Sequence, residues 1–222
     1  MNPSPLQDHP RVAVDVVIFT IDEGVLKALL VKLKEGPFHE HWAFPGGLVA
    51  VGESLDDAAT RELTEKTGLR DIYLEQLRTF GEPRRDPHAH VVSVAYFALL
   101  PRKGRDIGSH PKYARLEWQP VNALPSLAYD HNAIAQYALE RLRAKLAYTN
   151  IVYSLLPHEF TLGELQEIYA VILGRTLDRR NFRKKLLATG LLRALPRLRR
   201  GPHRPATLYA FAQRRPMNIP IL

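Results

Sequence analysis

Glu62 and Glu65 lie three residues apart in a stretch, Ser54 to Thr67, that reads as a helix. Both carboxylates then project from one helix face, with Arg61 beside them. Glu53 stands at the mouth of the same helix, and Gly46-Gly47 just before it would let backbone N–H groups come close to a ligand. Hard oxygen ligands beside an anion-friendly glycine turn suit Mg²⁺-assisted chemistry on a diphosphate. Two glutamates alone would read more plainly as a solvated acidic face. Lys66 conflicts with the chemical reading, because it sets an ammonium beside carboxylates arranged as if for a cation.

These side chains need a capped helix, a turn before it and strands to carry both. Ser54 can cap the helix, Asp56 and Asp57 suit the positive end of its dipole, and Gly68 can close it. Leu55, Ala58, Ala59 and Leu63 form its apolar stripe. Upstream, the β-branched runs Arg11 to Thr20 and Val25 to Lys32 flank Asp22-Glu23-Gly24, which predicts a hairpin. HWAFPGG reads as a short strand running into a glycine turn. Ile72 to Phe80 and Val91 to Leu100 predict two more strands around the polar loop GEPRRDPHAH, and Trp118 to Pro120 a short edge strand. Ile134, Tyr137, Ala138 and Leu142 recur at helical spacing, so His131 to Leu146 predicts a helix; Asp130 before it reads as its cap.

The texture then changes. Ile151 to Leu155 is apolar, and Pro157 breaks it. Thr161-Leu-Gly-Glu164 is a capping box that opens a helix through Leu173, ended by Gly174. Asp178 can cap a second helix, RRNFRKKLLA, closed by Gly190. Leu191 to Leu195 and Thr207 to Phe211 predict two strands joined by the basic loop PRLRRGPHRP. A helix, a short turn, a helix and a two-stranded ribbon make the order of a winged helix-turn-helix. We therefore expect two domains, residues 1–148 and 149–222.

Charge divides at the same place. Thr149 to Leu222 holds 13 Lys and Arg against 4 Asp and Glu, and the preceding residues hold 18 against 19, so all of the net +8 lies in the last third. Such a split suggests two parts with different partners. The chain has no cysteine, which excludes disulfides, thiolate catalysis and cysteine-ligated zinc. Its longest apolar runs are too short or too interrupted for a bilayer, and no signal peptide is read before them, so a soluble cytoplasmic protein is expected.

The spacing Gly47, Glu53, Arg61-Glu62-Leu63, Glu65, Gly68-Leu69 resembles the Nudix box, the loop-helix-loop signature of Nudix hydrolases. That resemblance implies an α/β/α sandwich, nucleoside diphosphates linked to another group as substrates, and divalent cations on the box glutamates. PFHEHWAFPGGLV and RDPHAHVVSVAYFALLP resemble the branch that handles ADP-ribose. At position 66 the family pattern has a second consecutive glutamate. Lysine there removes an attraction to the metal and adds a repulsion, each roughly 4 kcal/mol at about 4 Å under an effective dielectric near 20. It also sits four residues after Glu62, where its ammonium can neutralise the cluster. We expect the helix to frame a diphosphate pocket that turns substrate over poorly or not at all. Any metal on Glu53, Glu62 and Glu65 would be weakly held, and Mg²⁺ would matter only to residual hydrolysis. Arg84, Arg85 and Asp86 form a compact polar loop whose arginines could grip a diphosphate, or simply a solvated hairpin tip. Phe38 and Trp42 could stack on an adenine, although strand aromatics more often belong to a core.

In the helix after Asp178, Phe182, Leu186 and Leu187 would pack inward and leave Arg179, Arg180, Arg183 and Lys184 exposed. Asn181 falls near the end where a recognition helix reads base edges. Arg197, Arg199, Arg200, His203 and Arg204 crowd the following loop, as a wing gripping phosphates would require. The two halves together resemble the Nudix-related transcriptional regulators of NAD metabolism, through the altered box, RDPHAHVVSVAY, LAYDH, FTLGELQEIYAVILGRTLDRRNFRKKLLATGLL and RPATLYAF. The resemblance implies a homodimeric repressor that binds palindromic double-stranded operators and is released by ADP-ribose or a related NAD-derived compound, with no cofactor required. The rival reading is an ADP-ribose pyrophosphatase with an accessory basic domain, or a bifunctional protein.

Overall fold

The chain is described by a computed structural model covering residues 9–68, 72, 74–101, 113–200, 205–219 and 221, with the Lys66 and Thr67 side chains outside the description. Two long β-branched runs form the centre of its main sheet. β1 (Arg11–Asp22) and β2 (Val25–Leu33) turn through Glu23-Gly24, both with positive φ. Buried residues run unbroken from Ala13 to Thr20, so the sheet is covered on both faces there. The sheet continues with β3 (Trp42–Ala43), β4 (Gly46–Leu48), β5 (Leu74–Phe80), β6 (Val91–Leu99) and β7 (Tyr113–Pro120). Its order is β3-β2-β1-β6-β5, with β4 added to β1 and β7 to β2.

Two expectations need correction here. Gly46-Gly47 is strand rather than turn: it pairs antiparallel with β1, Asp15 opposite Gly46 and Val14 opposite Gly47, and neither glycine has positive φ. Glycine is required there for lack of space. A Cβ on Gly46 would lie 2.2 Å from Asp15 Oδ1 and 2.6 Å from the Val14 carbonyl oxygen, and one on Gly47 would lie 2.2 Å from Glu62 Oε1. Gly46→Ala should therefore destabilise the protein by about 1–3 kcal/mol, because the neighbouring backbone cannot yield as a side chain can. A urea melt followed by tryptophan fluorescence measures this. The second is β7, which runs eight residues, from Tyr113 to Pro120, and pairs along β2.

The helix carrying the carboxylates forms as expected. α1 (Leu55–Thr67) is capped by Ser54, whose side chain accepts from the Asp57 amide, and ends at Gly68 in the left-handed region with φ 70°. It buries Ala58, Ala59 and Leu63, and Tyr96 on β6 donates its hydroxyl to Asp56 Oδ1 at 2.7 Å, tying down its first turn. α2 (His131–Lys145) follows β7 and a short 3-10 turn, Val121–Ala123.

The chain divides into two compact units: Met1–Phe19, Lys27–Ala98 and Asp106–Ala138, and then Thr20–Leu26, Leu99–Arg105 and Leu139–Leu222. In the second, a 3-10 turn (Ile151–Ser154) leads to β8 (Phe160–Thr161), a strand the sequence did not announce. α3 (Leu162–Leu173) carries the complete Thr161/Glu164 capping box and stops at Gly174, φ 67°. Gln166 donates to the Leu177 carbonyl at 2.9 Å and fixes the turn before α4 (Arg179–Ala188), which Asp178 caps. β9 (Leu192–Arg199) and β10 (Ala206–Phe211) complete a three-stranded sheet in the order β8-β10-β9. β9 is longer than expected, so Arg197 and Arg199 lie on strand and not on loop. Its pairing with β10 shifts between Thr207 and Tyr209, opposite Pro196, which has no N–H to donate. Phe160, Tyr169, Phe182 and Phe211 form the core of this unit, with ring centroids 5.0 Å (Phe160 to Phe211) and 5.1 Å (Tyr169 to Phe182) apart.

Candidate functional site

The Ser54 cap and the apolar stripe of α1 set its polar face beside β4. There Arg61 reaches every box carboxylate described. Its Nε and Nη2 donate to Glu53 Oε1 and Oε2 at 2.6 and 2.9 Å, and Nη1 donates to Glu62 Oε1 at 2.7 Å. Nη1 also lies 3.7 Å from Glu65 Oε2, and Nη2 reaches the Leu48 carbonyl at 3.2 Å. The Arg61 hydrogen bonds, with the Ala50 amide on Oε2, hold the Glu53 carboxyl at about 2, well below its ordinary value. Glu53 ionisation therefore stabilises the fold above its unfolded pKa near 4.3, and this contribution disappears as pH falls through about 2. A thermal melt series from pH 5 to pH 2 should show it, and Glu53→Gln should flatten that limb.

Next to this cluster lies a cavity of about 400 Å³, lined by residues of β1, β3, β4, the 85–91 loop, β7 and the start of α2. Gly46, Gly47, Arg85 and Asp86 contribute to its wall, as do Arg11, His88, Tyr113 and Tyr129. Phe38, Trp42 and Arg84 do not. Phe38 packs on the buried cluster of Val31, Ala43, Tyr113 and Ala128, and Trp42 is held to the 127–128 segment through the Ala128 amide, 2.8 Å from its carbonyl oxygen. Arg84 is exposed.

Arg85 is not an exposed diphosphate clamp. Its side chain is 3% exposed, with Nε and Nη2 on the Asp130 carboxylate at 2.6–3.1 Å and Nη2 also 3.3 Å from Asp15 Oδ2. Ser93 donates to Asp15 Oδ2 at 2.6 Å. The buried His131 ring accepts the Phe44 amide at Nδ1, 2.9 Å away, and places Nε2 3.4 Å from Asp15 Oδ1. A backbone amide only donates, so the ring proton sits on Nε2, facing Asp15. Burial alone would raise the Asp15 pKa, but His131, Arg85 and Ser93 together outweigh it and hold the carboxyl below the usual carboxylate range. Asp130-His131 is thus part of a charged network under the cavity, and the Asp130 carboxylate is taken up by Arg85. Sequence reading missed this network, whose side-chain contacts join residues 45 to 116 positions apart.

In the second unit, α4 presents Arg180, Asn181 and Lys184 on one exposed face, opposite the buried Phe182 and Leu186. Leu187 does not pack inward as expected. Five residues after Phe182 it lies about 140° around the helix, and it is 47% exposed on the basic face. Arg183, three residues before Leu186, is half-buried beside the core, and its Nε has no hydrogen-bond partner among the described residues. Arg179 and Lys185 are exposed on the flanks. On β9, Arg197 pairs with Glu159 and Arg199 with Glu164, the same glutamate that completes the α3 cap. Arg199 therefore ties the hairpin to the start of α3, while Arg200 remains exposed. His203 and Arg204 lie outside the described residues.

A NUDIX domain model matches residues 9–142, and a model described as NrtR DNA-binding winged helix domain matches residues 152–211. The fold and both sites thus define a Nudix domain joined to a winged helix. The chain belongs to the Nudix family and, within it, to the NrtR proteins. It is 38% identical over 209 residues, 91% of this chain and 82% of the relative, to the ADPR responsive transcriptional repressor NtrR of Acinetobacter baylyi. The crystal structure of Shewanella oneidensis NrtR complexed with a 27mer DNA is 35% identical with a TM-score of 0.80, covering 90% of this chain and 93% of that one. The NUDIX domain of the same Shewanella protein, in a cocrystal with ADP ribose, matches 64% of this chain and 94% of its own at 35% identity and a TM-score of 0.56.

Nudix hydrolases generally use Mg²⁺, and the donor set here does not fit a tightly held ion. Arg61 already occupies oxygens of Glu53 and Glu62, Glu65 is its most distant and most exposed partner, and the side chain at position 66 supplies no oxygen. No helix among the described residues is long and apolar enough to cross a membrane.

Proposed function

We propose that this protein is a cytoplasmic, homodimeric transcriptional repressor of genes for NAD biosynthesis or salvage. Residues 149–222 bind double-stranded operator DNA, and residues 1–148 sense ADP-ribose or a similar nucleoside diphosphate. The observation that carries this reading is the joining, in one chain, of a box whose carboxylates pair with Arg61 and which bears Lys66 to a basic, outward-facing α4. A domain that held its ligand without cleaving it would keep the signal it reports. Arg180, Asn181 and Lys184 meet the operator first, Arg179 and Arg200 contact phosphates at the flanks, and His203 and Arg204 add their charge to the same phosphate contacts. No cofactor is required for either task. Two protomers would present two α4 helices to half-sites about one helical turn apart.

The full chain incubated with ADP-ribose and Mg²⁺ should bind the ligand, read by calorimetry, and return it intact, read by chromatography. Turnover in the ordinary enzymatic range of about 1–10³ s⁻¹ would contradict the sensor reading and favour the pyrophosphatase. Lys66→Glu should raise hydrolysis above the unaltered protein by restoring a carboxylate to the box.

A further inference from the structure

We propose that Tyr129 is the ring platform of the cavity and holds the base of a nucleoside diphosphate ligand by stacking; this rests on the reading of the cavity as an effector site. Among the described residues three non-glycine residues have positive φ: Glu23, Glu40 and Tyr129. Glu23 belongs to the β1–β2 turn and Glu40 to the loop before β3. Tyr129, at φ 54°, is a bulky residue in a conformation that large side chains rarely adopt, and it is the one of the three that lines the cavity. Such a conformation persists where the surroundings over-determine it, and it concentrates at ligand sites.

The surroundings of Tyr129 do over-determine it. Before it, Leu127 bridges to Trp42, and the Ala128 amide donates to the Trp42 carbonyl at 2.8 Å. After it, Asp130 is held by Arg85, and His131 by the Phe44 amide and Asp15. Phe38 supports the ring itself at a centroid distance of 4.6 Å. The buried network thus fixes the one tyrosine between its anchors. Of the Phe and Tyr residues that line the cavity, Phe44 and Tyr113 are buried and Tyr129 is partly exposed, with His131 5.4 Å and the Arg85 guanidinium 5.9 Å from its ring centroid. Base stacking on an aromatic ring tolerates the identity of the base because every base has a π-face, so this position selects a planar heteroaromatic ring.

The test is calorimetric titration of the full chain with ADP-ribose, using Tyr129→Gly, Tyr129→Asn and Tyr129→Phe. Glycine and asparagine both accept positive φ, so each removes the ring while keeping the backbone. We expect ADP-ribose to bind about 5- to 150-fold more weakly to these two variants, with their urea melts intact, and Tyr129→Phe to stay within about threefold of the unaltered protein. Unchanged affinity in the glycine and asparagine variants would overturn the proposal. So would an equal loss in Tyr129→Phe, which would make the hydroxyl the recognition group, or collapsed melts in both ring-less variants, which would assign the tyrosine to the core. Absence of ADP-ribose binding to the unaltered protein would instead overturn the functional reading beneath it.

Discussion

Arg85→Met will lower the stability of the first unit by about 3–5 kcal/mol, the range for removing one partner of a buried ion pair. The Arg85 guanidinium bridges Asp130 and Asp15, and Asp15 is itself buried. Methionine fills much of the same volume but leaves an uncompensated carboxylate in a desolvated site. Both tryptophans, Trp42 and Trp118, belong to the first unit, so a urea melt read by tryptophan fluorescence reports on this site. The double variant Arg85→Met, Asp15→Asn should recover part of the loss, because it removes the stranded charge together with its partner. An Arg85→Met midpoint close to that of the unaltered protein would show that the network carries no stability. The pH dependence has a definite sign. Asp15 titrates lower in the folded protein than its unfolded value near 3.9, so its contribution is present above that pH and lost as pH falls below it. Asp15→Asn should thus reduce the acid sensitivity of the melt below about pH 4.

The second large effect is expected on DNA. Arg180 and Lys184 lie four residues apart on the exposed face of α4, with Asn181 between them. An arginine paired bidentately with guanine contributes about 1–3 kcal/mol of discrimination, and asparagine can read adenine in the same way. Arg180→Ala should weaken operator binding about 5- to 150-fold and relax preference at its base position. Lys184→Ala should weaken all duplexes alike and lower the salt slope by about one. Arg199→Ala should act differently, because Arg199 is paired with Glu164 at the start of α3, and its loss should appear first in the stability of the second unit. Equal effects of Arg180→Ala and Arg199→Ala on DNA, with stability unchanged in both, would contradict this division of roles.

What the sequence made legible was mostly local. The Ser54 and Asp178 caps, the Thr161/Glu164 box, and the glycines at 68, 174 and 190 act within a few residues, and α1, α3 and α4 formed where those signals placed them. The box spacing was legible because a helix turns neighbouring residues into a face. Signals that depend on distant chain were not. Gly46-Gly47 looks like a turn because glycine is a turn residue, yet it is needed in a strand by the closeness of Asp15 and Glu62. Arg85 looked like a loop cation because its two carboxylate partners lie 45 and 70 residues away. Leu187 was read inward from hydrophobicity alone, although its angular position on α4 puts it outside. Tyr129 gave no signal, since positive φ at a tyrosine is imposed by the contacts flanking it.

One chain that binds a nucleoside diphosphate without destroying it should let go of DNA in response. The most direct measurement is the anisotropy of a labelled duplex from the protein's own upstream region, titrated with the full chain at fixed salt, with and without ADP-ribose. Binding is expected to be tight and sequence-dependent, and weakened by ADP-ribose that itself remains intact in the mixture. Binding that ADP-ribose leaves unchanged, or no preference for that duplex over an unrelated one of equal length, would contradict it.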